Sequence, residues 1–153
     1  MPTNIGLICQ RDVVTVQEAD DLTAAAQLMR EEHVGYLVVV EPDVLAKTSR
    51  PVGVLTDRDI VVAVVARNVD PHALKVGDVM TRKPVVITEG DTIEEALREM
   101  RRVGVRRLPV ISQVGNLVGV VSIDDVLEAL AEELDNIAGT IRNEQRTESV
   151  LRT

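Results

Sequence analysis

The sequence predicts an α+β fold in which two pseudo-symmetric β-α-β-β-α repeats pack sheet to sheet, followed by a long C-terminal helix. Three observations predict it. The chain matches itself when slid by 71 positions, placing Ile5-Gly6 on Val76-Gly77, Arg11 on Arg82, Met29 on Met100 and Val39-Val40 on Val110-Ile111. After a loop from Pro42 to Arg50 the offset becomes 66, so that Val52-Gly53-Val54-Leu55-Thr56 falls on Val118-Gly119-Val120-Val121-Ser122. Beyond Ile123 an apolar period runs on with no proline and Gly139 as its single glycine.

Each copy opens with a short strand, Val13–Val16 in the first and Val85–Ile87 in the second. A helix follows, started at Asp20 or Asp21 in one copy and at Thr92 in the other, where Glu95 completes a capping box. Its apolar stripe is Leu22, Ala25, Ala26 and Met29, matched by Ile93, Ala96, Leu97 and Met100. Two Val-rich strands come next, Tyr36–Val40 with Pro51–Leu55 and Leu108–Ile111 with Leu117–Val121. Gly115-Asn116 marks the tight turn of the second pair, and Pro42 to Arg50 is expected as a surface loop. A second helix closes each copy. The expected boundaries are 5–66 for the first repeat, 67–75 for a connector, 76–133 for the second repeat, and 134–153 for a helix extension that ends in a frayed polar tail beyond about Asn143. A unit of about 60 residues has a marginal core alone, so the two are expected to form one body.

With 153 residues the chain is too short for an eight-stranded α/β barrel of about 250. It has no Phe or Trp and a single Tyr, Tyr36, so aliphatic side chains must build the core and the walls of any binding site. A net charge of −8 repels nucleic acid and anionic lipid, which argues against both as general partners. Cys9 has no internal partner for a disulfide and fits a reducing, cytoplasmic setting. The N-terminal residues lack the basic flank and apolar run of a signal peptide, and Ile60–Ala66 is far short of the ~20 residues that span a bilayer.

No nucleophile–base arrangement, zinc or calcium spacing, or glycine-rich phosphate loop is present, and His33 and His72 are isolated. The expectation is a protein that is not an enzyme. What remains is a twice-written element, Gly53-Val54-Leu55-Thr56-Asp57-Arg58-Asp59 and Gly119-Val120-Val121-Ser122-Ile123-Asp124-Asp125. Two readings of it stand. Thr56 and Ser122 are N-caps whose bond the acid three residues on returns. Alternatively, a short acid at a helix N-terminus accepts hydrogen bonds from vicinal hydroxyls, as on a ribose, while the hydroxyl residue holds a sugar or phosphate oxygen.

The tandem pattern, both elements and Arg107-Leu108-Pro109-Val110 resemble a CBS-domain pair (cystathionine β-synthase domain) over residues 5 to 130, in the manner of small stand-alone bacterial members. The resemblance implies a regulatory module that binds adenosine-containing ligands in two clefts between the repeats. AMP, ADP or ATP lead, with S-adenosylmethionine or NAD as further ligands, and no cofactor is required. It implies that Asp59 and Asp125 hold ribose hydroxyls beside Thr56 and Ser122. Thr81, Pro84 and Val85 would frame one adenine, and Gln10 and Val14 the other. Arg106 and Arg107 would reach a phosphate in the Asp59 cleft, or else form a solvated edge pair; the Asp125 cleft would face Gly35 and Tyr36, with Arg58 as the cation in reach. The Asp59 cleft is therefore expected to bind more strongly.

Val126, Leu130, Leu134, Ile137 and Ile141 form a heptad-like seam on the last helix, which packs either on its own body or on a partner subunit. A homodimer is expected, with an unidentified protein target possible. The competing function is a structural or interaction dimer with vestigial clefts.

Overall fold

The computed structural model describes residues 3–152. Met1 and Pro2, part of the stretch read for a signal peptide, and Thr153, the end of the expected tail, lie outside the described residues. The elements in order are α1 (Ile5–Ile8), β1 (Thr15–Val16), α2 (Leu22–Glu32), β2 (Tyr36–Asp43), β3 (Thr48–Thr56), α3 (Asp57–Ile60, continued by a π-helical turn at Val61–Val65), α4 (Val76–Val79), β4 (Thr81–Arg82), β5 (Ile87–Thr88), α5 (Ile93–Val103), β6 (Arg107–Ile111), β7 (Leu117–Ser122) and α6 (Ile123–Leu151). A 3₁₀ turn at Pro71–Ala73 lies in the connector.

Two sheets result, β1-β2-β3-β4 and β5-β6-β7, and they meet through β3 and β7. The second sheet gains a fourth member in Gln10, which exchanges both backbone bonds with Val120 at 2.9 Å. The copies share even their irregularities, since the register slips between Val39 and Val40 in one and between Val110 and Ile111 in the other. Alternation sets the layers. Leu37 and Val39 face the helices of their copy, while Val38 and its counterpart Pro109, on the opposite face, are also fully buried.

The two cores are interlocked. The first is built from Val16, Leu22, Ala25, Met29, Leu37, Val39, Leu55 and Val64, and is completed by Val76 and Met80 from the second repeat. The second core, around Ile87, Ala96, Met100, Leu108, Val110, Val121 and Val126, is completed by Ile5 from the first. Backbone bonds seat each exchanged segment. Val76 and Gly77 donate to Asp20 and Glu18 carbonyls at 2.9 Å, and Ile5 and Gly6 donate to Asp91 and Glu89 carbonyls at 2.8 Å. The opening segment of each repeat thus closes the body of the other. A fragment spanning residues 3–70 is therefore expected to lack dispersed amide signals in a proton–nitrogen correlation spectrum. Extending it to Arg82 restores Val76 and Met80 and should restore dispersion.

Several expectations are corrected. The opening strands are two residues each, Thr15–Val16 and Ile87–Thr88, and Val13, Val14 and Val85, expected within them, line clefts. The Pro42–Arg50 stretch is largely an extension of the β2–β3 hairpin, with Pro42 paired to Ser49 and Asp43 to Thr48. The Asp43 carboxylate caps its tip by accepting from the Leu45 and Ala46 amides at 3.1 Å. Asp21 stands at the N-cap of α2 without a capping bond, its carboxylate instead pairing with Lys75. The last helix continues past Asn143 to Leu151, consistent with its lack of a breaker. Of the seam residues, Val126 packs on the chain's own body, being 1% exposed in the second core. No helix among the described residues is long and apolar enough to cross a membrane.

The Thr92–Glu95 box forms as expected, Glu95 accepting from the Thr92 amide at 2.8 Å. That bond holds the Glu95 carboxyl below its ordinary value of 4.5. Its contribution is therefore complete above pH 4.5 and lost as the pH falls through the lowered folded-state value. Glu95→Gln should flatten the acid limb of a melting-temperature profile in that window.

Candidate functional site

Both repeated elements cap a helix. Thr56 Oγ1 accepts from the Asp59 amide at 3.1 Å while Asp59 Oδ2 accepts from the Thr56 amide at 2.9 Å. Ser122 and Asp125 do the same at 3.1 and 2.8 Å. Capping is thus part of their role. A short acid is no distinguishing mark in this chain, because Asp20, Asp78 and Asp91 also return bonds to amides three residues back. What sets Asp59 and Asp125 apart is position, since each half-buried carboxylate lines a cleft between the repeats.

The Asp59 cleft has a volume of about 770 Å³. The structure brings together there Thr56, Arg58 and Asp59 from the first repeat with Thr81, Pro84, Val85, Arg106 and Arg107 from the second. Asp59 Oδ1 has no hydrogen-bond partner among the described residues, so half of the carboxylate is open. Lys83, not singled out from the sequence, adds a fourth cation and adopts φ 49° just before Pro84. Its counterpart at the 71-residue offset is Asp12, so comparing the two copies for charge reversal would have found it. Asp57 also lines this cleft, and a Cβ at Gly35 would lie 2.5 Å from its carboxylate, so a larger residue there would make Asp57 turn away.

The Asp125 cleft is smaller, about 490 Å³, and is lined by Gln10, Val14, Gly35, Tyr36, Ser122 and Asp125 as expected, with Asp12 and His33 added. Two features depart from expectation. Arg58 is not among its lining residues and belongs to the Asp59 cleft, because it follows the N-cap of α3 on that side. The Gln10 side chain, placed beside an adenine by the sequence reading, donates to Asp125 Oδ1 at 3.2 Å and so fills the oxygen that remains open on Asp59. Thr81, at the matching position, makes no such bond.

Arg107 lines both clefts, its guanidinium carbon 5.7 Å from the Tyr36 ring centroid. Burial pushes the Tyr36 phenol well above its ordinary value and the Arg107 charge opposes that shift, so the ring stays neutral at all ordinary pH. Arg106 stands 3.8 Å from Asp124 at the exposed rim, a contact weak enough to leave the guanidinium free to turn. Counting lining side chains, the Asp59 cleft holds four cations against two carboxylates, and the Asp125 cleft one cation against two.

Comparison with known proteins settles the family. A model described as the CBS domain matches residues 5–66 and again 76–132. The chain belongs to the CBS-domain family. It is a tandem CBS pair, and the second match ends ten residues into α6, leaving 133–153 outside it. Hypoxic response protein 1 of Mycobacterium tuberculosis is 38% identical over 125 residues, 82% of this chain and 83% of that protein. An uncharacterized protein of Methanopyrus kandleri is 30% identical over 125 residues, and there the match spans 61% of the relative's length. Among solved structures, Hypoxic Response Protein I with two coordinated zinc ions aligns with a TM-score of 0.71 at 36% identity, covering 82% of this CBS pair and 98% of that chain. CBSX2 in complex with AMP aligns with a TM-score of 0.69 at 25% identity, covering 84% and 96%. Among the described residues of this CBS pair no three His, Cys, Asp or Glu side chains cluster as metal ligands would.

Proposed function

We propose that this CBS pair is a non-catalytic regulatory module that binds an adenosine-containing nucleotide in the Asp59 cleft and senses energy or metabolite state as a homodimer. One observation carries the reading: an open carboxylate oxygen on Asp59 faces a cleft that also holds Arg58, Lys83, Arg106 and Arg107. A carboxylate suits the vicinal hydroxyls of a ribose, and guanidiniums suit phosphate through paired charge-assisted bonds. Val54, Pro84, Val85 and Val105 offer aliphatic walls for a base. AMP, ADP and ATP fit this charge pattern, whereas the cationic S-adenosylmethionine opposes it; NAD, with two phosphates, remains compatible. The Asp125 cleft, with one oxygen held by Gln10 and a single cation, ranks second.

A melting-temperature screen with AMP, ADP, ATP, NAD and S-adenosylmethionine tests the reading. Ligand at 100 times its Kd should stabilise the fold by about 2.7 kcal/mol and raise the midpoint by roughly 2–4 °C per kcal/mol at this size. The chain has one Tyr and no Trp, and Tyr36 lines both clefts, so intrinsic tyrosine emission should change over the same concentration range. No shift with any of the five would favour the second reading, an interaction protein with vestigial clefts. The exposed seam of α6 is the observation that favours it.

A further inference from the structure

The helix α6 runs 29 residues, about 44 Å, and among its residues only Val126 is buried. Its main contacts with other elements are with α1 and β7, and its hydrogen bonds and ion pair to Arg106 and Gln10 come from Ile123, Asp124 and Asp125 at its N-terminal end. Beyond them Leu127, Leu130, Leu134, Ile137 and Ile141 are 44–67% exposed. Their spacing of 3, 4, 3 and 4 is an a/d heptad seam, the pattern of a two-helix coiled coil. A helix whose apolar stripe faces water draws little stability from its own propensity, so this stripe calls for a partner.

The partner can be read from the charges. The half of α6 up to Asn136 carries Glu128, Glu132, Glu133 and Asp135 past its cap and no base. The other half carries Arg142 and Arg146 with Glu144 and Glu148 and is neutral in sum. Two parallel copies would bring the acidic halves together, whereas two antiparallel copies set each acidic half beside a neutral one that holds Arg142 and Arg146, within a Debye length. The acidic flank of the seam disfavours an anionic membrane as the alternative surface.

We propose that α6 pairs antiparallel with α6 of a second copy, with Leu130 on the partner's Ile141 and Leu134 on the partner's Ile137. This register stacks four aliphatic layers. It also sets Ala131 against the partner's Ala138 on one flank, where small side chains let the helices approach closely. The pairing is independent of what the clefts bind, and Leu134, Ile137 and Ile141 lie beyond the family match while Leu130 lies near its end.

Cross-linking of the full chain tests it, in a Cys9→Ala background so that each introduced thiol is unique. Leu130→Cys and Ile141→Cys proteins are treated with a short bismaleimide separately and after being mixed and allowed to exchange subunits. The expected result is a covalent dimer in the mixture alone, because like positions lie about 16 Å apart in the antiparallel register. Dimers in the separate samples would show parallel helices and overturn the proposal, as would no dimer in any sample. Leu134→Glu with Ile137→Glu is the second measurement. Light scattering should show the assembly mass halved with the tyrosine-monitored melt of the body retained, and an unchanged mass would overturn the pairing.

Discussion

Asp59→Ala is expected to lower affinity for adenine nucleotide at least tenfold in isothermal titration. The carboxylate presents one oxygen with no partner and a second that accepts a single amide bond, leaving room for two ribose hydroxyls. Hydrogen bonds to a charged acceptor contribute about 1.5–3 kcal/mol each, so losing two exceeds the 1.4 kcal/mol that corresponds to a factor of ten. The fold should lose only about 0.5–2 kcal/mol, the cost of an N-terminal cap interaction. Asp125→Ala is the contrast. It removes the same kind of cap, yet its carboxylate is already engaged by Gln10, so nucleotide affinity at the stronger site should stay within about twofold while stability falls by a similar amount. Equal loss of affinity in the two variants would contradict the ranking of the clefts.

Gly119→Val is expected to destabilise the protein by about 1–3 kcal/mol or more, lowering its melting temperature by roughly 2–12 °C. A Cβ at this position would lie 2.7 Å from the Gln10 carbonyl oxygen and 2.8 Å from Cys9 Sγ. Neither can withdraw cheaply, because Gln10 is bonded in both directions to Val120 and Cys9 packs on the second core. Gly53 meets the same constraint in the other copy, where the atoms are Met80 Sδ at 2.7 Å and the Thr81 carbonyl at 2.9 Å. The glycine of each repeated element is thus the place where the exchanged segment lies flat on the closing strand. Gly90→Ala, where a Cβ would meet nothing within 4 Å, is the control and should change stability by less than 1 kcal/mol.

These glycines show how far the residues alone could be read. Periodicity and self-similarity located α2, α5, both hairpins and the twofold relation, because each depends on local pattern repeated at a fixed offset. Pro84 and Arg106 are placed at the Asp59 cleft by the resemblance to CBS pairs and not by the offset. The offset could not show that Ile5 and Val76 complete each other's cores, because exchange of segments leaves the repeat pattern unchanged. Lys83 escaped because its counterpart Asp12 has the opposite charge, and resemblance between copies draws attention to what they share. The Gln10–Asp125 bond joins residues 115 positions apart and has no equivalent at Thr81 and Asp59, so no repeat could signal it.

In the proposed function one cleft, walled by both repeats, receives the adenosine. Photolabelling with 8-azido-ATP and peptide mapping tests it most directly. Label should appear on peptides containing Val54–Asp59 and Lys83–Val85, and excess unlabelled ATP should suppress it. Label that ATP does not displace, or that falls on the outer helices α2 and α5 and leaves both peptides clean, would contradict it.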